Sequence, residues 1–332
     1  MLVAICTRQR PSELGRLLQS IRDMDPPEDH RLEVLIVEND VALSIEKIVS
    51  GANLSYPVHT VLESHLGLVH VRNRTLDFAE ALNADYLLGV DDDEWVDRDW
   101  VRAYERAIKK LPHIACFIGP CHYVYGGDLS AWRSQYQLRF RFLGQQPPVR
   151  STANYLISAR IFSRSVGLGQ RFDARYSDIG GEDGDFFLRL QRLHSEALAS
   201  VPQAISFEDV KGERATFAYY FRRKRREIAT WHYIKYRVSR QAGGSAVKSY
   251  QLAWRHTVFS LFFFFSKLAN GLWHSIRSGR LLKDEIGMAA IHLAQVLSFF
   301  DFVFGRQEHH YAPTSVSTSV KPEKPSSLND CS

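Results

Sequence analysis

Short apolar runs that stop in polar clusters, alternating with helical periodicity, leave this chain few folds to choose from. Leu2-Val3-Ala4-Ile5-Cys6 gives way to Thr7-Arg8-Gln9-Arg10-Pro11-Ser12, then to a stretch with Leu14, Leu17, Leu18 and Ile21 on one helical face. Leu32 to Val37 ends in Glu38-Asn39-Asp40. Val58 to Leu62 precedes a helical stretch from Gly67 to Ala81, with Leu68, Val71, Leu76 and Ala79 turned inward. The run through Tyr86-Leu87-Leu88-Gly89-Val90 stops in four consecutive acids, Asp91-Asp92-Asp93-Glu94, and a helix follows from Asp97 to Lys110. Runs this short and this apolar suit buried strands, whereas the intervening period of 3.6 suits amphipathic helices. The order β-α-β-α-β-α-β-α predicts an α/β domain: a mostly parallel sheet with helices on both faces.

Open α/β sheets bind ligands beyond the carboxyl ends of their strands. Thr7, Arg8, Asp40, Arg72 and Asp91 all fall near such ends, which suggests a nucleotide site. Neither G-x-G-x-x-G nor G-x-x-x-x-G-K-[ST] is present, so a dinucleotide fold and a P-loop are disfavoured and phosphate must be held otherwise. In an extended backbone Asp91 and Asp93 point the same way while Asp92 turns aside. Two convergent carboxylates suit Mg²⁺ or Mn²⁺, which take oxygen ligands. A solvated acidic turn capping the next helix is the competing reading. A second acidic cluster, Gly180-Gly181-Glu182-Asp183-Gly184-Asp185, opens a helix carrying Phe186, Phe187, Leu190 and Leu193. Its acids suit a helix N-terminus, but its glycines also let a substrate approach Glu182 and Asp183 closely.

These pieces, in this order, resemble the family 2 glycosyltransferases of GT-A fold, and within them the bacterial exopolysaccharide type that includes ExoM-like succinoglycan enzymes. The resemblance rests on the Thr7-Arg8 strand end, Val37-Glu38-Asn39-Asp40, Gly67 with Arg72-Asn73, the DxD motif Asp91-Asp92-Asp93, and Gly181-Glu182-Asp183-Gly184. It extends through Val201 to Val210 and Glu213-Arg214-Ala215-Thr216. It implies a Rossmann-like mixed sheet flanked by helices, with the nucleotide-sugar on Thr7, Arg8, Glu38, Asp40, Arg72, Asp91 and Asp92. It further implies a divalent cation, Mn²⁺ or Mg²⁺, on Asp93 and a catalytic base at Asp183, with Glu182 the alternate. No Q-x-x-R-W follows, the signature of processive synthases, so a single sugar addition is expected. The chemistry agrees: the diphosphate leaving group needs its charge neutralised, and an acceptor hydroxyl needs a carboxylate to take its proton. One such carboxylate gives a single displacement with inversion. A catalytically silent scaffold that merely binds sugar nucleotide is the rival reading, and the intact acids of both clusters argue against it.

The rest of the chain bears on where it works. Cys6, Cys116, Cys121 and Cys331 are scattered and no signal peptide precedes Leu2, which points to a reducing, cytoplasmic setting. Cys116, Cys121 and His122 form at most a partial zinc pattern. The net charge of +5 is concentrated, because Lys211 to Arg240 holds ten basic residues against Glu213 and Glu227. Aromatic residues interleave with them, and the apolar runs Val258 to Ser266 and Ile286 to Phe300 follow. Each run is shorter than the ~20 residues of a spanning helix, so monotopic attachment to an anionic cytoplasmic membrane surface is expected, with an ordinary helical cap as the alternative. Basic residues beside phenylalanine runs do not make a nucleic-acid reading module. The expected organisation is a catalytic domain over residues 1–215, a helical membrane-associating region over 216–306, and a disordered tail over 307–332. The expected partners are a nucleotide-sugar donor and a lipid-linked saccharide acceptor.

Overall fold

The computed structural model describes residues 1–125, 152–193, 198–278 and 283–306. The connection through Trp132 and Tyr136 and the tail over 307–332 lie outside the described residues. The strands are β1 (Leu2–Thr7), β2 (Glu33–Glu38), β3 (Val58–Leu62), β4 (Tyr86–Asp91), β5 (Glu94–Val96), β6 (Cys116–Ile118), β7 (Cys121–Tyr125), β8 (Asn154–Ser158), β9 (Leu198–Ser200) and β10 (Ser206–Val210). The helices are α1 (Pro11–Asp23), α2 (Glu46–Gly51), α3 (Leu68–Ala81), α4 (Trp100–Lys110), α5 (Ala159–Phe162), α6 (Glu182–Leu193), α7 (Phe217–Gln241), α8 (Ala246–Ser278) and α9 (Lys283–Val303).

The main sheet is seven-stranded, in the order β3-β2-β1-β4-β8-β6-β9. Its β3-β2-β1-β4 half is parallel, as the alternation predicts, but β8 runs antiparallel to both β4 and β6. The sheet is therefore mixed. Leu14, Leu17, Leu18 and Ile21 of α1 join Trp100, Val101 and Tyr104 of α4 on one face. Val69, Val71 and Leu76 of α3 join Phe186, Phe187 and Leu190 of α6 on the other. Gly89 allows the two layers to close, because a Cβ there would lie 2.0 Å from the Tyr155 ring.

A second sheet, β5-β10-β7, stands beside the first. Asn154 fastens the two together. Its buried amide donates to Pro120 O at 3.0 Å and Ala204 O at 2.7 Å, and its oxygen accepts from Trp100 Nε1 and Tyr104 Oη. A buried amide with every bond satisfied fixes one arrangement of its neighbours.

The C-terminal helices differ from the expectation. The two apolar runs are parts of long helices, α8 and α9, rather than short segments. Ile286–Val303 is long and apolar enough to cross a membrane by length and composition, with 39% of that window buried in the fold. Helix α7 is not a detached basic rod, because Ile234 and Val238 enter the core layer of α3 and α6. Four of its cations form ion pairs: Arg222 with Glu213, Arg223 and Lys224 with Glu227, and Arg225 with Asp301 of α9.

Candidate active site

Parallel pairing brings the polar strand ends side by side. Thr7 aligns with Glu38 across β1 and β2, and Cys6 aligns with Asp91 across β1 and β4. The carboxyl edge of the sheet therefore carries Thr7, Glu38 and Asp91 at neighbouring positions. Glu38 is buried and accepts the Ser44 backbone N–H at 2.6 Å. Asp40 accepts from Gln9 Nε2 at 2.9 Å and from the Val41 N–H at 2.8 Å, and these bonds hold its carboxyl below the usual range. Arg8 is exposed and contributes charge toward Asp40. Asn39 donates to Glu63 O and His65 O and accepts from the Gly67 N–H, tying the β2 end to the start of α3.

The DxD segment does not continue the strand alternation. Chain direction changes at Asp92 and Asp93, which form the turn between β4 and β5. Asp92 accepts from Thr7 Oγ1 at 2.8 Å and from Arg10 Nη1 at 2.8 Å. Arg10 Nη1 also reaches Asp93 Oδ2 at 2.9 Å, and Arg214 reaches the same oxygen at 3.0 Å. Asp91 faces Arg72 at 3.7 Å instead. Thus Asp92 and Asp93 share Arg10, while Asp91 lies beside Arg72. Burial raises the Asp92 carboxyl, against the pull of Arg10 and the Thr7 hydroxyl. Burial also pushes Asp91 up to about 7, opposed by Arg72 and reinforced by Asp93 and Asp92. Asp91 still keeps 41% of its side chain exposed, so solvent screens part of that effect.

Arg72 joins the two acidic clusters. It is buried in α3, pairs with Glu182 at the start of α6, and lies beside Asp91. Burial alone would work against its charge, but Glu182, Asp91 and Asp183 outweigh that and raise its pKa. Glu182 is buried on this guanidinium, whereas Asp183 is half-buried and accepts the Gly184 N–H at 2.7 Å. Burial first, then Glu182, pushes Asp183 up to about 6. Gly181 makes this turn possible, with φ at +91° and Thr230 of α7 packed where a side chain would stand.

Several residues here had no local signal in the sequence. Arg10 and Arg214 neutralise the DxD carboxylates, and Arg16 braces the same turn by donating to Asp93 O at 3.3 Å. Arg214 stands 121 positions from Asp93, and although it falls in the Glu213-Arg214-Ala215-Thr216 stretch of the resemblance, nothing local pairs it with the DxD turn. Cys116, Cys121 and His122 do not converge: Cys116 lies in the core beneath α3 and α6, while His122 is exposed beside Phe207.

A donor set for a hard cation exists at the turn. Both arginine bonds to Asp93 fall on Oδ2, leaving Oδ1 with no hydrogen bond among the described residues, and the partly exposed Asp91 carboxylate is a second oxygen donor.

The family model described as Glycosyl transferase family 2 matches residues 2–167. Succinoglycan biosynthesis protein ExoM of Rhizobium meliloti (strain 1021) is 30% identical over 234 residues, which is 69% of this chain and 72% of that protein. Among solved structures, a mannosyltransferase from Pyrobaculum calidifontis in complex with GDP-Man and Mn²⁺ is 16% identical with a TM-score of 0.58, covering 92% of this chain and 87% of that one. S. aureus TarS 1–349 is 15% identical with a TM-score of 0.54, covering 91% and 88%. Its complex with UDP-GlcNAc is 14% identical with a TM-score of 0.53, covering 93% of each chain. At these identities the structural likeness speaks for the fold.

Proposed function

The chain belongs to glycosyl transferase family 2 and has the GT-A fold, and from that premise we propose that it moves one sugar, with inversion, from a nucleotide-sugar to a lipid-linked glycan in exopolysaccharide synthesis. The observation that carries this reading is Arg72, which touches Asp91 of one acidic cluster and Glu182 of the other. Through that contact Arg72 holds a leaving-group site and the cluster with the proton acceptor Asp183 close together, as a single displacement at a sugar carbon needs.

The donor's nucleotide rests on Thr7, Arg8, Glu38 and Asp40 at the carboxyl edge of the sheet, with Asp91 and Asp92 beside its diphosphate. A divalent cation on Asp93, Mn²⁺ or Mg²⁺, supplies charge neutralisation to that diphosphate. Arg10 and Arg214, already at the Asp92 and Asp93 carboxylates, add positive charge where the leaving oxygen becomes anionic. Asp183 takes the proton of the acceptor hydroxyl as its oxygen bonds to the anomeric carbon and the bond from that carbon to the diphosphate breaks. Glu182, buried on Arg72, keeps that guanidinium oriented rather than acting as base. UDP-hexose is the proposed donor. The related structures were solved with GDP-Man and with UDP-GlcNAc, so fold alone does not choose the base.

Residues 1–215 form the catalytic unit in this reading, and 216–306 the part that meets the cytoplasmic face of the membrane. Helix α8 supports the second role, because Phe259, Phe262, Phe265 and Trp273 are 59–67% exposed. Soluble monomers rarely present so large an apolar face to water.

The test is a screen of sugar nucleotides with Mn²⁺ and a membrane-lipid extract, followed by NMR of the product. Transfer of a single sugar, with β linkage from an α-linked donor, is expected. Retention of configuration, or no turnover with any donor, overturns the reading.

A further inference from the structure

We propose that Glu94, Cys121 and Glu208 form a buried site for one thiophilic divalent cation of the zinc class, next to the Asp91–Asp93 carboxylates and clamping the three strands of the small sheet. The register brings the donors together. Glu94 of β5 stands directly opposite Glu208 of β10, and Ser206, two residues before Glu208, stands opposite Cys121 of β7. Residues two apart on a strand share a face, so Glu94, Glu208, Ser206 and Cys121 all project to one side of the sheet. That side is interior: Glu94 is 1% exposed, Cys121 2%, Glu208 6% and Ser206 0%.

Two carboxylates directly opposed across a strand pair repel one another, and burial removes the water that would screen them. Glu208 has Arg214 as a counter-ion. Glu94 has no ion pair among the described residues, and neither of its oxygens has a hydrogen-bond partner. The Ser206 hydroxyl and the Cys121 thiol are near enough to influence it without standing in bonding geometry. A carboxylate this deeply buried, with no hydrogen-bond partner for either oxygen and set beside a second carboxylate and a free thiol, is a donor set suited to a cation.

The spacing suits a metal. One donor atom from each residue lies within 4.8 Å of the others. Ligand bonds of about 2.0–2.3 Å around a tetrahedral ion place donors about 3.3–3.8 Å apart, so a contraction of about an ångström completes the site. Water or Ser206 would supply the fourth position. The sulfur sets the selectivity, since Mg²⁺ prefers oxygen donors and thiolate favours zinc-class ions. The site also has mechanical reach, because Glu94 directly follows Asp93 and Arg214 touches both Glu208 and Asp93. The proposal does not depend on sugar transfer and stands or falls separately from it.

Cobalt tests it, because Co²⁺ occupies zinc sites and a sulfur ligand gives it a near-ultraviolet charge-transfer band. Full-length protein stripped with chelator is titrated with Co²⁺ under reducing conditions. The expected result is a band saturating at one equivalent in the wild type and in Asp93→Ala, and lost in Cys121→Ser with unchanged circular dichroism. No band in the wild type, or a band that persists in Cys121→Ser, overturns the proposal. Should Cys121→Ser fail to fold, Glu94→Gln keeps the thiol and the volume. It must then weaken cobalt binding about tenfold or more, and unchanged binding overturns the site.

Discussion

Arg214 donates to Asp93 across 121 positions of sequence, and the oxygen it reaches, Oδ2, is the one that Arg10 also holds. Two guanidinium groups on one carboxylate oxygen fix the DxD turn and offset its negative charge. The same arginine pairs with Glu208, so the turn is tied to the small sheet as well as to the loop after β1. Movement of one of these three parts is felt by the others.

Asp93→Ala removes the proposed metal ligand and releases both arginines. Because the residue lies in a turn, the fold should persist, while Mn²⁺-dependent binding of nucleoside diphosphate and all transfer should be lost. Calorimetric titration with and without Mn²⁺ measures the first, and a transfer assay the second. Wild-type activity that survives exhaustive chelation would remove the metal from the mechanism.

Arg72→Met tests the bridge between the clusters through stability rather than turnover. Glu182 would remain buried without its counter-ion, and uncompensated buried charges cost about 3–5 kcal/mol. The urea midpoint should fall accordingly, and Arg72→Met combined with Glu182→Leu should recover much of the loss. A single variant within about 0.5 kcal/mol of wild type contradicts a buried pair, because changes that small are typical of exposed surfaces.

The strands and helices of the first half were legible because period and burial agree there: Val58 to Leu62 is a strand at the expected residues, and Gly67 to Ala81 matches α3 to within one residue. The polar strand ends fall together on the carboxyl edge of the sheet, where Thr7, Glu38 and Asp91 align. What stayed illegible was long-range or very short. Glu94–Val96 is only three residues long, too short for its pattern to stand out from an acidic loop, although it pairs with β10. The partnership of Asp93 with Arg214, and of Cys121 with Glu94 and Glu208, depends on how the second sheet docks, which no local pattern encodes. The apolar C-terminal runs are short by unbroken length, because their flanking polar residues, which α8 and α9 absorb as ordinary helical turns, hide the true extent of those helices.

The acid limb of the rate profile should report Asp183. Burial and Glu182 hold its carboxyl at about 6, and only the deprotonated form can accept the acceptor's proton. Above that pH the base is available. Below it, kcat/KM should fall about tenfold per pH unit as the carboxyl protonates. Asp183→Asn keeps size but cannot take a proton, so turnover should drop about 10²-fold or more, with donor binding near normal. A rate close to wild type in that variant moves the base to Glu182 or Asp185.

Membrane attachment should depend on the phenylalanines of α8 more than on the arginines of α7. Arg222, Arg223 and Arg225 already hold Glu213, Glu227 and Asp301, so neutralising them would disturb helix packing along with any lipid contact. Phe259, Phe262 and Phe265 are exposed, and replacing them with serine removes apolar surface without opening the core. Fully burying one such side chain is worth about 1.5–3 kcal/mol, so three together should reduce partition onto anionic liposomes by well over 10²-fold even when each is only partly inserted. Donor hydrolysis in solution should be unchanged, because among the described residues α8 contributes none of the partners of Asp93 and Asp183. Liposome flotation of the full-length wild type and the triple variant at low and high salt makes the measurement. Equal flotation of both proteins, or a wild type that stays unbound at low salt, would make the exposed face of α8 something other than a membrane contact.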